Sequence, residues 1–381
     1  MVDSGAGGAI LRTILASGPV PRSVVAKHAG LSPATVTWQT RALLEAGLLL
    51  ELPETASGSG IGRPYSPLTL DTSGNVVIAV HIAAAQTTVA VVDIGGALRS
   101  STRVPHRDTA PSHILDDAAA EIARVRATRS ERVLGVGVAI GGRVDRDAGT
   151  VVEHSSLRWR DVPVRRRLEA VTGLPTELDS HTRALMHAEH LYGRLRGTAS
   201  SMVVFVGNVV DMAFAVGDRV HYGPNSAAGS IDRMLGLAES RDGSARATVE
   251  QFSDHGLLRR ARTRAPAAHT IPELIEAARN PGPAHDLFVE RGVEMGRVTA
   301  ALIDLLDPEA VVIVDRGFTG LAEVEATYLR TIGEYSALCA RPAEVVSRST
   351  FAGRVLETAG AAVALHGIFH TPLNALERKA V

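Results

Sequence analysis

Short apolar runs rich in β-branched residues alternate along the chain with stretches whose apolar positions follow helical spacing. The runs Val76–Ile82, Val133–Ile140 and Ala310–Val314 have the length and composition of buried strands, whereas Ser112–Ala127 and Thr182–Tyr192 have the spacing of helices. The same composition predicts further strands at Thr88–Val92, Met202–Val206 and Met212–Val216. Strand hairpins followed by helices in each half indicate a duplicated α/β body whose two halves close over a cleft.

Residues 1–70 follow a different pattern, typical of a small helical domain. Apolar residues at helical spacing from Ile10 to Leu15 predict a first helix, and Gly18-Pro19 ends it. A second helix over 23–29, a tight turn over 30–32 and a third helix over 33–46 follow. This is the order of a helix-turn-helix, whose second helix enters a groove of DNA.

The ends of the third helix are chemically specified. Ser32 can accept hydrogen bonds from N–H groups of the first turn, Pro33 suits the first helical position, and Gly47 suits the left-handed stop. We expect Val36, Leu43 and Leu44 to face the core. With Ser32 at the start of the helix, the candidate contacts to a major groove are then Ala34, Thr35, Thr37, Trp38 and Arg41. The alternative is an ordinary surface helix.

A β-hairpin wing is predicted after this helix. Strand-like runs over 48–52 and 65–70 flank a Gly/Ser-rich segment that ends in Gly62-Arg63-Pro64. An arginine on an exposed tip fits a narrow minor groove, where negative potential is concentrated. We therefore predict that Arg63 contacts DNA. The alternative is a flexible linker with a solvated arginine.

Bulk composition limits the class of protein. The chain of 381 residues is 45% apolar, with a mean hydropathy of +0.10, which suits two or three soluble domains. The single Cys339 excludes an internal disulfide and a Cys-rich zinc site. Polar residues interrupt the most apolar stretch, Val76–Val92, so we predict no membrane role. Because no secretory leader is recognisable, we expect a cytoplasmic, nucleoid-associated protein.

The overall charge gives no attraction to nucleic acid. The chain has a formal net charge of −1, and residues 1–70 carry five basic and four acidic side chains. Any DNA contact must therefore come from a local surface, and we expect a monomer to bind DNA weakly.

Over nearly its whole length the chain resembles the ROK family, which comprises bacterial repressors and sugar kinases of the actin-like ATPase fold. The segments that carry the resemblance are Gly135-Val-Gly-Val-Ala-Ile-Gly-Gly-Arg-Val-Asp145, Leu157-Arg-Trp-Arg-Asp-Val-Pro163, Gly173-Leu-Pro175, Ala188-Glu-His-Leu-Tyr-Gly193, Tyr222-Gly-Pro-Asn-Ser-Ala-Ala-Gly229 and Leu306-Asp-Pro-Glu-Ala-Val-Val312. The head with its Gly-Arg-Pro wing resembles the regulators of the family. The resemblance implies a winged helix-turn-helix over residues 1–71 and an actin-like (ribonuclease H-like) body of two lobes over 72–381.

Both phosphate loops of the family's kinases are altered in this chain. The first, normally Asp-Ile-Gly-Gly-Thr-Lys, corresponds to residues 81–86 and reads His-Ile-Ala-Ala-Ala-Gln. The second, normally Gly-Thr-Gly-Ile-Gly, corresponds to residues 207–211 and reads Gly-Asn-Val-Val-Asp. The metal-binding carboxylate and most of the glycines that let backbone N–H groups reach phosphate are gone. We therefore expect no ATP binding and no cofactor.

The kinase base and the zinc motif are also changed. The family's Glu-Asn-Asp-Ala-Asn corresponds to residues 179–183, where His181 takes the position of the catalytic Asp. Asp179 could be proposed as a displaced base. The zinc motif, Glu-Ile-Gly-His followed by cysteines, corresponds to residues 230–233 without cysteines, so we predict no metal.

The resemblance also brings a set of side chains to the former sugar cleft. These candidate effector contacts are Ser180, His181, Arg183, Arg233 and Glu250. A more cationic lining suits a phosphorylated or acidic ligand; the alternative is a decayed pocket whose residues bond internally. Trp159 is expected to be a packing anchor rather than a sugar platform. His154, His187 and His190 have no recognisable ligand partners, and the spacing of His187 and His190 indicates a helix surface.

These patterns predict a transcriptional regulator, most simply a repressor, without kinase activity. Its partners are expected to be a double-stranded DNA operator, a second copy of the chain in a homodimer or dimer of dimers, and a sugar or sugar-phosphate effector. The alternatives are an active sugar kinase with an accessory head and an effector-free scaffold that binds DNA or another protein.

Overall fold

A computed structural model of the chain describes residues 4–53, 66–231 and 249–377, without the side chains of Ser4, Val249 and Glu250. The chain divides into two compact units. The first comprises residues 1–140, 145–184 and 356–381, and the second comprises 141–144 and 185–355.

The helices and strands of the described residues follow one another with short connections. The helices are α1 (Ser4–Ser17), α2 (Arg22–Ala29), α3 (Pro33–Glu45), α4 (Pro111–Ala127), α5 (Val164–Thr172), α6 (His181–Tyr192), α7 (Asp254–Arg264), α8 (Ile271–Ala277), α9 (Pro283–Leu306), α10 (Arg316–Gly320), α11 (Ala322–Tyr335), α12 (Pro342–Val345), α13 (Val355–His370) and α14 (Pro372–Glu377), with a 3-10 helix at Val249–Phe252. The strands are β1 (Leu49–Glu51), β2 (Leu68–Leu70), β3 (Asn75–Ile82), β4 (Gln86–Asp93), β5 (Leu98–Pro105), β6 (Arg132–Ile140), β7 (Arg143–Asp145), β8 (Thr150–His154), β9 (Trp159–Val162), β10 (Thr176–Ser180), β11 (Ser200–Val206), β12 (Val210–Val216), β13 (Arg219–Val220), β14 (Ala310–Asp315) and β15 (Val346–Arg348).

The helical head forms as its turn residues dictate. Gly30 and Gly47 adopt left-handed backbone conformations, with φ of 64° and 70°, after α2 and α3. Ser32 Oγ accepts the Thr35 N–H at 3.1 Å and so caps α3. β1 and β2 pair antiparallel, with Leu49 opposite Leu70. The order of a winged helix-turn-helix is thereby confirmed.

The two units contain sheets of the same topology. In the first unit the strand order is β10-β6-β3-β4-β5, and in the second it is β13-β12-β11-β14-β15. In each sheet three strands consecutive in the chain pair antiparallel, and two later strands extend the sheet in parallel from the first of them. The duplicated α/β body is therefore confirmed.

Helix α13 lies directly on the first sheet because glycines allow its backbone to approach. A Cβ on Gly137 of β6 would lie 2.2 Å from the carbonyl oxygen of Gly360, and a Cβ on Gly360 would lie 2.7 Å from the backbone nitrogen of Val80. The central strand β3 is buried along its whole length. The former catalytic positions lie at the ends of strands in this sheet.

The predicted strands and helices form with small shifts of their ends. One core assignment needs correction: Leu44 is half-buried rather than buried, whereas Val36 and Leu43 are fully buried. The sequence patterns did not predict the strands β5, β7, β8, β9, β10, β13 and β15. Most of these strands are short, and β5 alternates exposed and half-buried residues instead of forming an apolar run.

Candidate functional site

The outer face of α3 carries the residues predicted to meet a major groove. Ala34, Thr37, Trp38 and Arg41 are exposed, and Thr35 is half-buried beside the Ser32 cap. Trp38 is 54% exposed, which is unusual for so large an apolar side chain. A polar helix face with one exposed aromatic residue is suited to contact with base edges and phosphates.

Contacts from its own unit hold the C-terminal half of α3. Near its middle, Arg22 Nε donates to Thr40 Oγ1 at 3.3 Å. At its C-terminal end, Asn75 Nδ2 donates to the Gly47 carbonyl at 2.7 Å and Arg132 Nη1 donates to the Ala46 carbonyl at 2.9 Å. The recognition helix is thus tied to the first residues of β3 and β6, not only to the other helices of the head.

Internal ion pairs reduce the positive charge of the head. Arg41 pairs with Glu45 at 2.9 Å, and Arg22 pairs with Glu51 at 2.7 Å. Arg12 donates to the Phe369 carbonyl at 2.7 Å. Arg63, the predicted wing contact, lies outside the described residues.

A buried polar cluster occupies the former kinase centre of the first unit. His81, at the end of β3, and His181, at the start of α6, stack with ring centroids 5.8 Å apart and planes 2° from parallel. Thr88 lies opposite His81 in the β3–β4 pair. Within the described ranges, neither His81 Nδ1 nor the buried Thr88 hydroxyl has a hydrogen-bond partner. His81 and His181 thus stand where the family's kinases carry two carboxylates.

Burial keeps these imidazoles neutral. Desolvation, together with a smaller repulsion from His154, lowers the pKa of His81 from 6.5 to about 4. Desolvation also lowers the pKa of His154 to about 4. Burial, followed by repulsion from His81, His154 and Arg183, lowers the pKa of His181 well below 6.5.

The other candidate effector residues of the first unit are Arg183, which forms an ion pair, and Ser180, which caps the start of α6. Arg183 Nε donates to Asp179 Oδ1 at 2.7 Å, and both side chains are almost completely buried. The same oxygen accepts the Ser180 N–H at 2.7 Å, while Ser180 Oγ accepts the Arg183 N–H at 3.3 Å. The Asp179 carboxylate is therefore paired with the Arg183 guanidinium. The charge of Arg183 is compensated within the first unit.

The side chains of the remaining two candidates lie outside the part of the chain that the structure describes. Arg233 lies outside the described residues. Glu250 belongs to the 3-10 helix of the second unit, and only its backbone is described.

The two former phosphate loops are tight hairpin connections. Ala83 N–H donates to the Gln86 carbonyl at 3.0 Å between β3 and β4, and Gly207 N–H donates to the Val209 carbonyl at 3.0 Å between β11 and β12. One backbone N–H group of each loop is thus engaged within its hairpin.

A buried ion triad fixes the second of these loops. Arg291 pairs with Asp254 at 2.8 Å and with Asp315 at 3.0 Å, and donates to the Val206 carbonyl at 3.0 Å. Desolvation raises the pKa of Asp315, and the Arg291 guanidinium opposes that rise.

Several histidines differ from their sequence-based interpretation. His187 is buried, not at a helix surface, and its Nε2 lies 3.0 Å from the Tyr222 hydroxyl. His190 Nε2 lies 2.9 Å from Ser201 Oγ. The prediction was wrong because α6 is buried on nearly all sides, which polar spacing alone does not reveal. Trp159 is buried and donates to the Thr109 carbonyl at 2.8 Å, as a packing anchor would.

Sequence reasoning did not include His81, Thr88 and His154 among the site residues. His81 interrupts an otherwise apolar strand, and this was the available signal. Among the described residues no group of three or more His, Cys, Asp or Glu side chains is arranged to hold a metal ion. No helix in the described ranges is long and apolar enough to cross a membrane.

A winged helix-turn-helix followed by two sheets of one topology defines a class: a DNA-binding head on an actin-like kinase-fold body. Family models match both parts, winged helix-turn-helix DNA-binding at residues 8–49 and the ROK family at residues 77–358. The chain belongs to the ROK family and, because it carries the winged head, to its transcriptional regulators.

Individual relatives agree with this assignment. A transcriptional regulator of Mycobacterium tuberculosis is 33% identical over 398 aligned positions, which cover 99% of this chain and 89% of the relative. The DNA-binding transcriptional repressor Mlc of Escherichia coli is 26% identical over 327 positions, with 80% and 79% coverage. A solved ROK family transcriptional regulator, a homologue of the Escherichia coli protein, superposes with a TM-score of 0.81 at 21% identity, over 98% of this chain and 99% of that one.

Proposed function

We propose that this ROK regulator represses transcription by binding a double-stranded operator as a homodimer, and that its body has lost kinase activity. Residues 1–71 act as the DNA-binding domain, and residues 72–381 form the body that binds the effector and the second copy. The observation that carries the proposal is the exposed polar face of α3, whose C-terminal end is held by its own unit.

The α3 face supports direct readout of a major groove. Thr37, Trp38 and Arg41 project from successive turns of the exposed face, and Arg41 can form two hydrogen bonds to a guanine edge once it leaves Glu45. Ser32, Ala34 and Thr35 lie at the helix start, where side chains approach phosphates and thymine methyl groups. Arg63 is proposed to enter the adjacent minor groove.

Dimerisation follows from the weak charge of one head. Since Arg22 and Arg41 are already paired with carboxylates, a single head has few cations for phosphate. Two heads double the phosphate contacts and select half-sites about one helical turn (roughly 10 bp) or a multiple apart. The repressor named Mlc among the relatives supports repression over activation.

The loss of kinase activity is supported by the former catalytic positions. Magnesium prefers oxygen ligands, and His81 offers an imidazole in place of a carboxylate. His181 has a pKa well below 6.5 and is stacked on His81, so it is poorly suited to accept a hydroxyl proton at neutral pH. The backbone donors of Ala83 and Gly207 are used within their hairpins.

The buried polar cluster supports an uncharged, hydroxyl-bearing effector. Neutral imidazoles both donate and accept hydrogen bonds, and the charge of Arg183 is compensated by Asp179. A sugar fits this chemistry better than a sugar phosphate. The residues proposed to contact it are Ser180, His181, Arg183, Arg233 and Glu250.

Selection of genomic DNA fragments by the purified full-length chain at physiological salt tests the proposal. We expect recovery of a site with two-fold symmetry, and release of that site by one member of a panel of sugars and sugar phosphates. Retention of fragments without a shared sequence would contradict an operator-binding function.

A separate assay tests the loss of kinase activity. ATP consumption is measured with the same panel of sugars, and we expect none above the rate without sugar. Steady sugar-dependent consumption would identify the protein as an active kinase with an accessory head.

A further inference from the structure

A cavity of about 140 Å³ lies within the first unit, away from the buried histidine cluster. Its walls come from the first residues of β6 and β10, from Arg146, and from the end of α13 with α14. An apolar cavity of about 150 Å³ accommodates benzene, so this space suits a molecule of similar size. Neither the DNA-binding face nor the former kinase centre uses it.

The wall is suited to an anion. Arg146, His366 and His370 all line the cavity. The two imidazole rings lie 4.1 Å apart, and His370 Nδ1 donates to the His366 carbonyl at 3.0 Å. The acidic residue in the wall, Glu177, is balanced by Arg165, which is not among the lining residues. A guanidinium and two imidazoles together favour a small oxyanion.

The last turn of α13, which lines the cavity, also contacts α1 of the DNA-binding head. Arg12 of α1 donates to the Phe369 carbonyl at 2.7 Å. A Cβ on Gly8 would lie 2.4 Å from the His370 carbonyl oxygen, so α1 packs directly on this turn. His370 therefore lines the cavity and also contacts α1 through its backbone.

The contact continues to the recognition helix. A Cβ on Gly7 would lie 3.0 Å from Pro372 and 3.2 Å from the side-chain oxygen of Gln39, a buried residue of α3. The end of α13, α1 and α3 thus meet in one packed junction. A ligand that binds one arrangement of this junction more tightly shifts the head toward that arrangement.

We propose that this cavity is a second ligand site, which takes a small oxyanion such as inorganic phosphate or a small dicarboxylate, and that its occupancy alters the DNA-binding head through α13 and α1. The coupling goes beyond the proposed function, and the binding step is measurable without an operator. Failure of the site and failure of operator recognition are therefore distinguishable.

Thermal unfolding of the full-length chain in inorganic phosphate, at ionic strength matched with chloride, tests the binding step. We expect the Tm to rise with phosphate concentration. Malonate in a parallel titration shows whether the site prefers a tetrahedral anion or a dicarboxylate. The absence of any rise with either anion would overturn the proposal.

Two variants test whether the anion that raises the Tm binds in this cavity. A Cβ on Gly367, which lines the cavity, meets nothing within 4 Å, so Gly367→Leu fills the space without a backbone clash. Gly367→Leu and Arg146→Gln should abolish the anion-dependent rise in Tm. The matched controls Gly367→Ala and Arg166→Gln, the latter at an exposed site on α5, should retain it. A rise that persists in both test variants would place the anion elsewhere and overturn the site.

Hydrogen exchange of backbone amides tests the coupling. With saturating phosphate, exchange in residues 4–17 should slow severalfold in the wild-type chain and stay unchanged in Gly367→Leu. A rise in Tm without any change in the exchange of α1 would overturn the coupling to the head.

Discussion

At the residue scale, the decisive feature of the head is competition for Arg41. Its guanidinium pairs with the Glu45 carboxylate one turn away, and both side chains are largely exposed. An exposed pair of this kind contributes little to stability. In the DNA complex proposed above, Arg41 contacts phosphate or guanine, and Glu45 would compete with these groups for its guanidinium.

Replacing Glu45 should therefore strengthen DNA binding. We expect Glu45→Gln to raise operator affinity severalfold, with a stability change of within about 0.5 kcal/mol because the site is exposed. Fluorescence anisotropy with a labelled operator measures the effect, and Glu290→Gln in the second unit is the acidic control. A loss of affinity in Glu45→Gln would show that Arg41 acts through Glu45 rather than in competition with it.

Arg63 has a separate expected effect. Arg63→Ala should weaken operator binding by about 1–3 kcal/mol if its side chain reads a narrow minor groove. Affinities of the variant and the wild type are compared at matched salt. Equal affinities would remove Arg63 from the DNA contacts.

The buried histidines predict a pH dependence of stability. His81 and His154 have folded-state pKa values of about 4, below the value of 6.5 that applies when the chain is unfolded. The unfolded chain then binds more protons between these limits, so stability is complete above pH 6.5 and falls as pH decreases toward 4. Each such histidine contributes a slope of at most about 1.4 kcal/mol per pH unit.

Urea unfolding at pH 7.5 and pH 5 measures this slope. His81→Leu should flatten the pH dependence, whereas His255→Gln, at an exposed position of α7, should leave it unchanged. A wild-type midpoint that is identical at the two pH values would contradict the neutral, buried state of the cluster.

At the scale of elements, glycines set the distance between α13 and the sheet. Gly137→Ala would place a methyl group 2.2 Å from the Gly360 carbonyl oxygen, so helix and strand must separate. We expect a loss of about 1–3 kcal/mol or more. Gly367→Ala lies on the same helix in open space and should gain up to about 1 kcal/mol from helix propensity. Urea unfolding compares the two, and equal stabilities would mean that the contact at Gly360 is not tight.

The elements that the sequence predicted are those with strong local signals. Ser32, Pro33 and Gly47 mark the ends of α3, and the apolar runs of β3, β6 and β14 mark central strands. Strand β5 escaped prediction because its pairing with β4 is set by the tertiary structure and not by an apolar pattern.

The candidate site was predictable only in part. The resemblance located His181 and Arg183 at former catalytic positions, but it did not show that Arg183 pairs with Asp179 or that His81 stacks on His181. Each contact joins a residue of α6 to a residue of a strand, so it depends on how α6 packs on the sheet. Charge patterns in the sequence suggested a cationic set of residues, and the Asp179 carboxylate compensates one of its two arginines, Arg183. The other, Arg233, lies outside the described residues.

At the scale of the whole molecule, a winged helix-turn-helix head precedes two sheets of one topology. One backbone N–H group in each hairpin that corresponds to a kinase phosphate loop is bonded within that hairpin. The winged head is the part of the chain that matches DNA-binding proteins.

The most direct test of this account is the ratio of affinities for the selected operator and for a scrambled duplex, measured across a range of salt concentrations. We expect a ratio of about 10³ or more for the wild-type chain. In the folded variant carrying Thr37→Ala, Trp38→Ala and Arg41→Ala, the ratio should fall toward 1, while salt-dependent binding to both duplexes remains. A wild-type chain that binds the two duplexes equally, or a variant that keeps the full ratio, would contradict recognition by α3.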